Sequence, residues 1–434
     1  MKKILFVCFS AWLNSAALSA ADSASSLNSQ ATNSVTLETL VAEILNHNPE
    51  LRFYTAEIEA AKGERRSAGA WPIPELTTQL GRKSVRSAGI TDEGAAWSVS
   101  VQQPLEWPGR LPLRKAIANR QVALADLGYR QFKATLGGRA RTLGFALFAA
   151  DQKAASAREV ADRFHELREV LVQRDPSGLT PALELRIIES TEITLQKQAT
   201  DAMLEAQAAL LELNQLRGEP WNSTMQIVPD ELSFPSPKPA DDLIEAARTN
   251  NFEIQMRKTE LEQQGFKVSL ARKERYPTVT VGPYFSQERA GDVESIVGVG
   301  ISIPVPLWNR NKGNVQTAKA REEQAEVSMF VTQRDVERRV SEQLLRYRIK
   351  LDEMSKWRPD AIAHFRAAAT LADRHYRLGA VPITTYVELQ KQYLEAVTSL
   401  LETKKEALEA GEQVRALTGV EFTSANQPLS NTKP

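Results

Sequence analysis

The sequence predicts a mainly α chain, internally duplicated, with a small β part. Four strands per chain complete a β-barrel only when several copies associate, and a long α-helical coiled-coil barrel continues it. Three observations predict this. The first is a strand that hands over to a helix, twice. Val297, Val299, Ile301 and Ile303 alternate with Gly298, Gly300 and Ser302, the period-2 pattern of a strand with one apolar and one small or polar face. Pro304 and Pro306 end ladder pairing, Trp308 follows, and a helix-period stretch starts at about Gly313. Trp97 to Arg110 makes the same hand-over. The second is a heptad seam at positions 185, 188, 192, 195, 199, 202, 206, 209, 213 and 216, apolar or small except for Glu192. Adding 201 to each position gives a second seam from Tyr386 to Leu417, in which only Thr403 is polar. The third is length: residues 110–173 keep helix period over about 100 Å at roughly 1.5 Å per residue.

Composition narrows the function class. The 434 residues carry no net charge, which argues against a nucleic-acid partner. Lys2 and Lys3, the apolar run Ile4–Leu13 and the small residues Ala17–Ala21 read as a secretory signal over residues 1–21. That run is too short to span a bilayer. Cys8, the only cysteine, lies within it, so the mature chain has no disulfide, thiolate metal site or cysteine nucleophile. No later apolar run reaches the roughly 20 residues of a membrane helix. Any membrane crossing belongs to strands.

Taken in order, residues 22–34 are Ser/Ala/Asn-rich and read as disordered. The first repeat, 35–218, opens with a helix from Thr36 to about Gly69, stopped by Trp71-Pro-Ile-Pro74. A strand at 75–80, a polar loop from Arg82 to Ala95 and a strand from Trp97 to Leu105 follow. Two long helices, about 110–173 and 181–216, are joined by a turn at Pro176–Gly178. Residues 219–239 carry five prolines and read as a linker. The second repeat, 240–419, has a helix to about Glu274, strands near 278–286 and 296–303 around a loop with Gly291, and a long helix 312–374 kinked at Pro359. The turn Gly379–Pro382 leads to a last helix ending at Gly419. The tail, 420–434, reads as loose. The offset of 201 also maps Gly178 and Pro181 onto Gly379 and Pro382, and Gly218 onto Gly419.

Two features favour lipid rather than a helix as the partner of the strands. Aromatics cluster at strand ends (Trp71, Trp97, Trp107, Tyr276, Trp308), as in an interfacial girdle. The neighbouring helices already use their apolar seams on each other. A membrane-spanning sheet must close, and four strands fall short of the roughly eight that the smallest bacterial barrels use. A dimer would supply 8 strands and a trimer 12. An eight-stranded barrel is filled by its own side chains, so a conducting barrel favours the trimer.

The segments Ile303–Gly313, Gln103–Arg110 and Arg377–Pro382, with the doubled order of helix, two strands and two long helices, resemble the TolC family of outer-membrane factors. They look like the corresponding turns of its heavy-metal-efflux branch. The resemblance covers nearly the whole mature chain. It implies a TolC-like fold, a homotrimer with a 12-stranded barrel in the outer membrane of a Gram-negative bacterium, and a periplasmic helical tunnel. The implied partners are outer-membrane lipid, a periplasmic adaptor (membrane fusion protein) and an inner-membrane RND transporter. The implied role is the outer-membrane channel of a tripartite efflux system, exporting heavy-metal cations.

No catalytic constellation and no cofactor motif is present. The four histidines, 47, 165, 364 and 375, read as isolated on their helices, which argues against a metal site. The turns Gly178–Leu179–Pro181 and Arg377–Leu378–Gly379–Pro382 are expected at the far tips of the tube. Helix–turn–helix geometry alone accounts for their glycines; the resemblance adds contact with adaptor hairpins. Glu184 and Glu388, just past each tip, correspond to acids that family members place at a periplasmic constriction, where rings of carboxylates favour cations. Each also fits a solvated carboxylate at a helix start, and Thr385 stands where the family commonly has an acid. Trp97, Trp107 and Trp308 are expected at the membrane boundary. Two further readings stay open: a drug-efflux or type I secretion duct, and an exported coiled-coil structural protein whose sheets are soluble.

Overall fold

The computed structural model describes residues 34–420 apart from 88, 174–178, 229–231, 233, 307–309 and 359. The signal segment, Gly178, Trp308, Pro359 and the tail beyond Val420 therefore lie outside the described residues. Two repeats follow one another as the seams require. The first has α1 (Leu37–His47), α2 (Glu50–Ala68), β2 (Glu75–Ser87), β3 (Ile90–Leu105), α3 (Arg110–Gln173) and α4 (Leu179–Arg217). The second has α5 (Ala240–Asn250), α6 (Phe252–Lys273), β5 (Val279–Ala290), β6 (Asp292–Ser302), α7 (Lys312–Ser355), α8 (Ala361–Arg377) and α9 (Ile383–Thr418). A two-residue strand β1 (Ser34–Val35) pairs in parallel with β4 (Gln226–Ile227).

Most seam positions are buried; Leu185, Leu389, Ala396, Leu400 and Leu417 are only half-buried. Ile188, Leu195, Ala199, Ala206 and Leu213 of α4, and Tyr386, Tyr393, Ala407 and Val414 of α9, all lie in the interior. Ala150, Ala154, Ala157 and Ala161 let neighbouring helices approach α3 closely and are buried too. Helix α3 packs against α2 and α6 toward the sheet, and against α4 and α9. The main core joins α1, α3, α4 and α9, and a smaller one joins α5, α6, α7 and α9.

Several expectations need correction. Residues 82–87 and 90–95 are strand, not loop. β2 and β3 run to a tight turn at Gly89, and β5 and β6 to a turn at Gly291, both glycines with positive φ. The polar residues that suggested loops make cross-strand ion pairs instead, Lys83 bridging Glu288 (3.0 Å) and Glu294 (2.6 Å). Ser34 pairs with Gln226 rather than being disordered, and the Pro-rich segment buries Met225 and Ile227 in the main core. Each repeat's first helix is two helices, broken at an asparagine. Asn48 accepts from the Glu50 amide (2.9 Å) and donates to the Leu216 carbonyl (2.9 Å). Asn251 accepts from the Glu253 amide (2.9 Å) and donates to the Leu417 carbonyl (3.0 Å). One side chain thus caps the start of one helix and the end of another. The duplication extends to individual hydrogen bonds.

Between these joints Arg141 of α3 pairs with Glu38 of α1 (2.8 Å) and Glu412 of α9 (3.4 Å), and Arg415 reaches Glu412 at 2.5 Å. Burial holds the Glu412 carboxyl above its ordinary range despite Arg415 and Arg141. Hydrogen bonding to Arg141 holds Glu38 below its range. The signs are opposite. The Glu412 contribution to stability is full below its unfolded pKa of about 4.3 and is lost as pH rises through its raised folded value. That of Glu38 is present above the same unfolded value and is lost only as pH falls through its lowered one. Glu412→Gln is expected to gain on the wild type as pH rises from 5 to 8, read from thermal dissociation of the folded assembly. A difference that stays constant across that range would rule this out.

Candidate conduit wall and its two ends

The four-stranded sheet has order β2-β3-β5-β6 and is antiparallel throughout. Residues directly opposite one another share a face, so the register sorts the side chains. Leu76 and Leu80 face Val101 and Trp97, Val99 faces Phe285, and Phe285 and Val281 face Val297 and Ile301. One face is therefore apolar across all four strands. The other carries Thr77, Gln79, Ser98, Ser100, Tyr284, Gly298 and Gly300. A Cβ on Gly298 would come within 2.6 Å of the Tyr284 ring, so the glycine makes room for it.

Among the described residues no helix covers the apolar face. Leu80 is 89 % exposed, Val297 78 % and Val299 68 %, a contiguous patch of the kind that a partner or a membrane covers. Along β6 and just beyond, from Val297 to Ile303, it extends about 20 Å at roughly 3.3 Å per residue. It ends at the turn side with Arg82 and Glu93, which pair with each other. Strands β2 and β6 each have one neighbour, leaving two open edges. Among the described residues no helix is long and apolar enough to cross a membrane.

Trp97, expected at a strand end, lies instead inside β3 opposite Leu80, nearer the turns, where it donates from Nε1 to Gln287 (3.2 Å) and packs against Phe285 within the apolar face. At the opposite end the strands meet the helices. Trp107 stacks on Tyr276 with centroids 4.6 Å apart, tying the two hand-overs together. Beneath them sits a residue that the sequence reading missed as a functional part. Arg110, the first residue of α3, is buried and donates to the Lys273 carbonyl (3.3 Å), to Thr278 Oγ1 (3.0 Å) and, at close range, to the Tyr276 carbonyl. A first-repeat cation thus takes up the carbonyls at the end of second-repeat α6, the negative end of that helix's dipole.

At the far tips, Arg377 ends α8 and pairs with Asp373 (3.0 Å) and with Glu166 of α3 (3.2 Å). Leu378 is 71 % exposed. Gly379 has φ +73° and donates to the Tyr376 carbonyl at 2.8 Å, while the Ala380 amide donates to His375 at 2.9 Å. The left-handed glycine closes the helix in the usual way. Pro382 precedes α9, and Leu179 and Pro181 lie in the first turn of α4. Glu184 is half-buried and accepts from the Tyr376 hydroxyl at 3.3 Å, across the two repeats. Glu388 is exposed and accepts from Gln392 at 2.9 Å on its own helix. Tyr376 stacks on Tyr386, which packs at a tilt against Phe164. The two tip acids are therefore not equivalent: one is held by the other repeat, the other is not.

The histidines are less isolated than their sequence suggested. His165 lies 2.9 Å from Glu192, the charged member of the seam, and 3.4 Å from Glu169 one turn away. His364 lies 2.7 Å from Asp360. Arg168 and Gln196 also hold Glu192, at 3.1 and 3.0 Å, which is how the seam accommodates a buried carboxylate. Among the described residues no group of three or more potential ligands is placed to hold a metal ion.

The chain matches the family model described as outer membrane efflux protein over residues 40–219 and 243–420, one match per repeat. It is 22% identical over 291 residues to the cobalt-zinc-cadmium resistance protein CzcC of Cupriavidus metallidurans, covering 67% of each chain. It is also 22% identical, over 425 residues, to the pyoverdine export outer membrane protein OpmQ of Pseudomonas aeruginosa, covering 91% of this chain and 87% of OpmQ. Its fold is similar to that of CusC, with a TM-score of 0.68 at 16% identity over 88% of this chain and 91% of that one. The duplicated helices, the two-faced sheet and both halves of the family match lead to one conclusion: the chain belongs to the outer membrane efflux protein family and is an outer-membrane efflux channel rather than an enzyme.

Proposed function

We propose that three copies close a 12-stranded barrel by pairing β6 of one copy with β2 of the next. The open edges of β2 and β6 carry this reading, because lipid cannot satisfy unpaired backbone groups and only closure can. The helices then form the periplasmic tunnel, and residues 1–21 serve as the export signal ahead of the two repeats. The tips around Gly178–Pro181 and Arg377–Pro382 meet the hairpins of a periplasmic adaptor linked to an inner-membrane RND transporter. Trp107 and Trp308 mark the helical side of the membrane, and Trp97, opposite Leu80, the side nearer the turns. Glu184 and Glu388 form carboxylate rings near the tips; Glu388→Ala is expected to reduce cation selectivity in planar bilayers, and unchanged reversal potentials would reject the ring.

The exported substrate is a heavy-metal cation. Likeness to CzcC, a cobalt-zinc-cadmium resistance protein, supports this reading. A strain lacking this channel is expected to lose tolerance to zinc, cobalt or cadmium and to regain it on complementation. The similarity to OpmQ covers more of this chain at equal identity and supports a second reading, export of an organic solute such as pyoverdine. Unchanged metal tolerance with loss of organic-solute export would favour that reading instead.

A further inference from the structure

We propose that a cationic cleft where the sheet meets the helices binds the phosphate head groups of anionic phospholipids in the membrane leaflet on the helical side. The proposal rests on the outer-membrane reading above. Arg272, Lys273 and Arg275 at the end of α6, with Arg310, Lys312 and Lys319 around the start of α7, line a cleft of about 680 Å³. No carboxylate is among the described residues lining it. None of the six cations makes an ion pair with a described residue, and all but Lys273 are exposed. Lys273 is half-buried, its Nζ 3.4 Å from the Pro108 carbonyl.

The chain as a whole has no net charge, so this accumulation is local. Helix dipoles explain only part of it. Cations suit the C-terminal end of α6, but Lys312 opens α7, whose first turn holds no acid and whose dipole disfavours positive charge. Lys312, Val315, Gln316 and Lys319 recur at helical spacing and present one face to the cleft. Six like charges held together in this way are balanced by an anion from outside the chain.

Position selects the anion. The cleft opens beside Tyr276, whose ring stacks on Trp107, two residues beyond Leu105, the last residue of the apolar strand face. Aromatic rings at the end of an apolar face lie at head-group depth. The chemistry recognised is a phosphodiester, and the location assigns it to lipid rather than to free phosphate.

The test uses the intact protein purified in neutral detergent, with phosphatidylglycerol or phosphatidylcholine added and retained lipid counted by native mass spectrometry. Phosphatidylglycerol is expected to be retained preferentially. The variant R310Q/K312Q/K319Q is expected to weaken that retention about a hundredfold, given the attraction of each surface cation to anionic lipid. The variant K133Q/K197Q/K258Q, with the same charge change at exposed unpaired positions, is expected to leave it unchanged. Equal retention of both lipids, or no loss in the first variant, overturns the proposal. So does displacement by inorganic phosphate irrespective of acyl chains, or altered pore selectivity with lipid retention intact. Failure of the outer-membrane reading would be seen separately, as a protein soluble without detergent that carries no channel current.

Discussion

Val299→Arg is expected to keep this chain out of the membrane. Val299 lies in the middle of the apolar face, between Val297 and Ile301, and is 68 % exposed with no helix over it. An arginine on the lipid face near the bilayer midplane costs about 2–4 kcal/mol, and in a trimer three copies bear that cost together. Heat-modifiable, detergent-resistant assemblies in the outer-membrane fraction should disappear, while soluble or aggregated protein accumulates. Ser100→Arg, on the opposite face, is the control: it should still insert, with altered conductance. If Val299→Arg inserted as well as wild type, the faces would have to be exchanged.

Arg110→Ala is expected to loosen the joint between barrel and tunnel. The guanidinium satisfies two carbonyls and a hydroxyl in a buried setting without a carboxylate partner. Hydrogen bonds to a charged group contribute about 1.5–3 kcal/mol each; truncation removes this donor from the Tyr276 carbonyl and leaves the Lys273 carbonyl only the Tyr276 amide (3.2 Å). A loss of roughly 3 kcal/mol or more should appear as earlier thermal dissociation of the assembly and as trypsin cleavage near residues 272–275. Arg110→Lys should recover only part of it, because an ammonium cannot reproduce the planar fork. Unchanged melting and protease resistance in Arg110→Ala would show that Trp107 and Tyr276 suffice to hold the joint.

Where one physical signal repeats, the fold was legible in the sequence. The heptad seams named most of the buried residues of α4 but fewer than half of those of α9, whose second buried stripe at Val387, Gln390, Leu394, Val397 and Leu401 they missed, and period-2 alternation separated the apolar face from the polar face before any pairing was known. What escaped has specific causes. The ends of the strands looked like loops because Arg82, Lys83, Glu93 and Glu294 find their partners across the sheet, and pairing across strands has no local signature. The breaks at Asn48 and Asn251 fall within continuous apolar periodicity, and the partners of those side chains lie near residue 216 and residue 417. The Arg110 clamp joins residues more than 160 positions apart. The pairs His165–Glu169 and Asp360–His364, by contrast, stand at i,i+4 spacing and were there to be read. At the tips, the partnership of Glu184 with Tyr376 depends on how the two repeats lie side by side, which the offset of 201 does not encode.

The two open sheet edges carry a consequence for biogenesis. Each lone protomer would present two rows of unpaired amides and carbonyls to hydrocarbon, a state no lipid can accommodate. Insertion and oligomerisation are then a single thermodynamic event with no stable one-chain intermediate in the bilayer. Assembly should rise steeply with protomer concentration, and a defective copy should act on its neighbours. With equal amounts of normal and insertion-defective chains, only one trimer in eight would be wholly normal. A damaged allele of such a channel is therefore expected to be dominant over a healthy one.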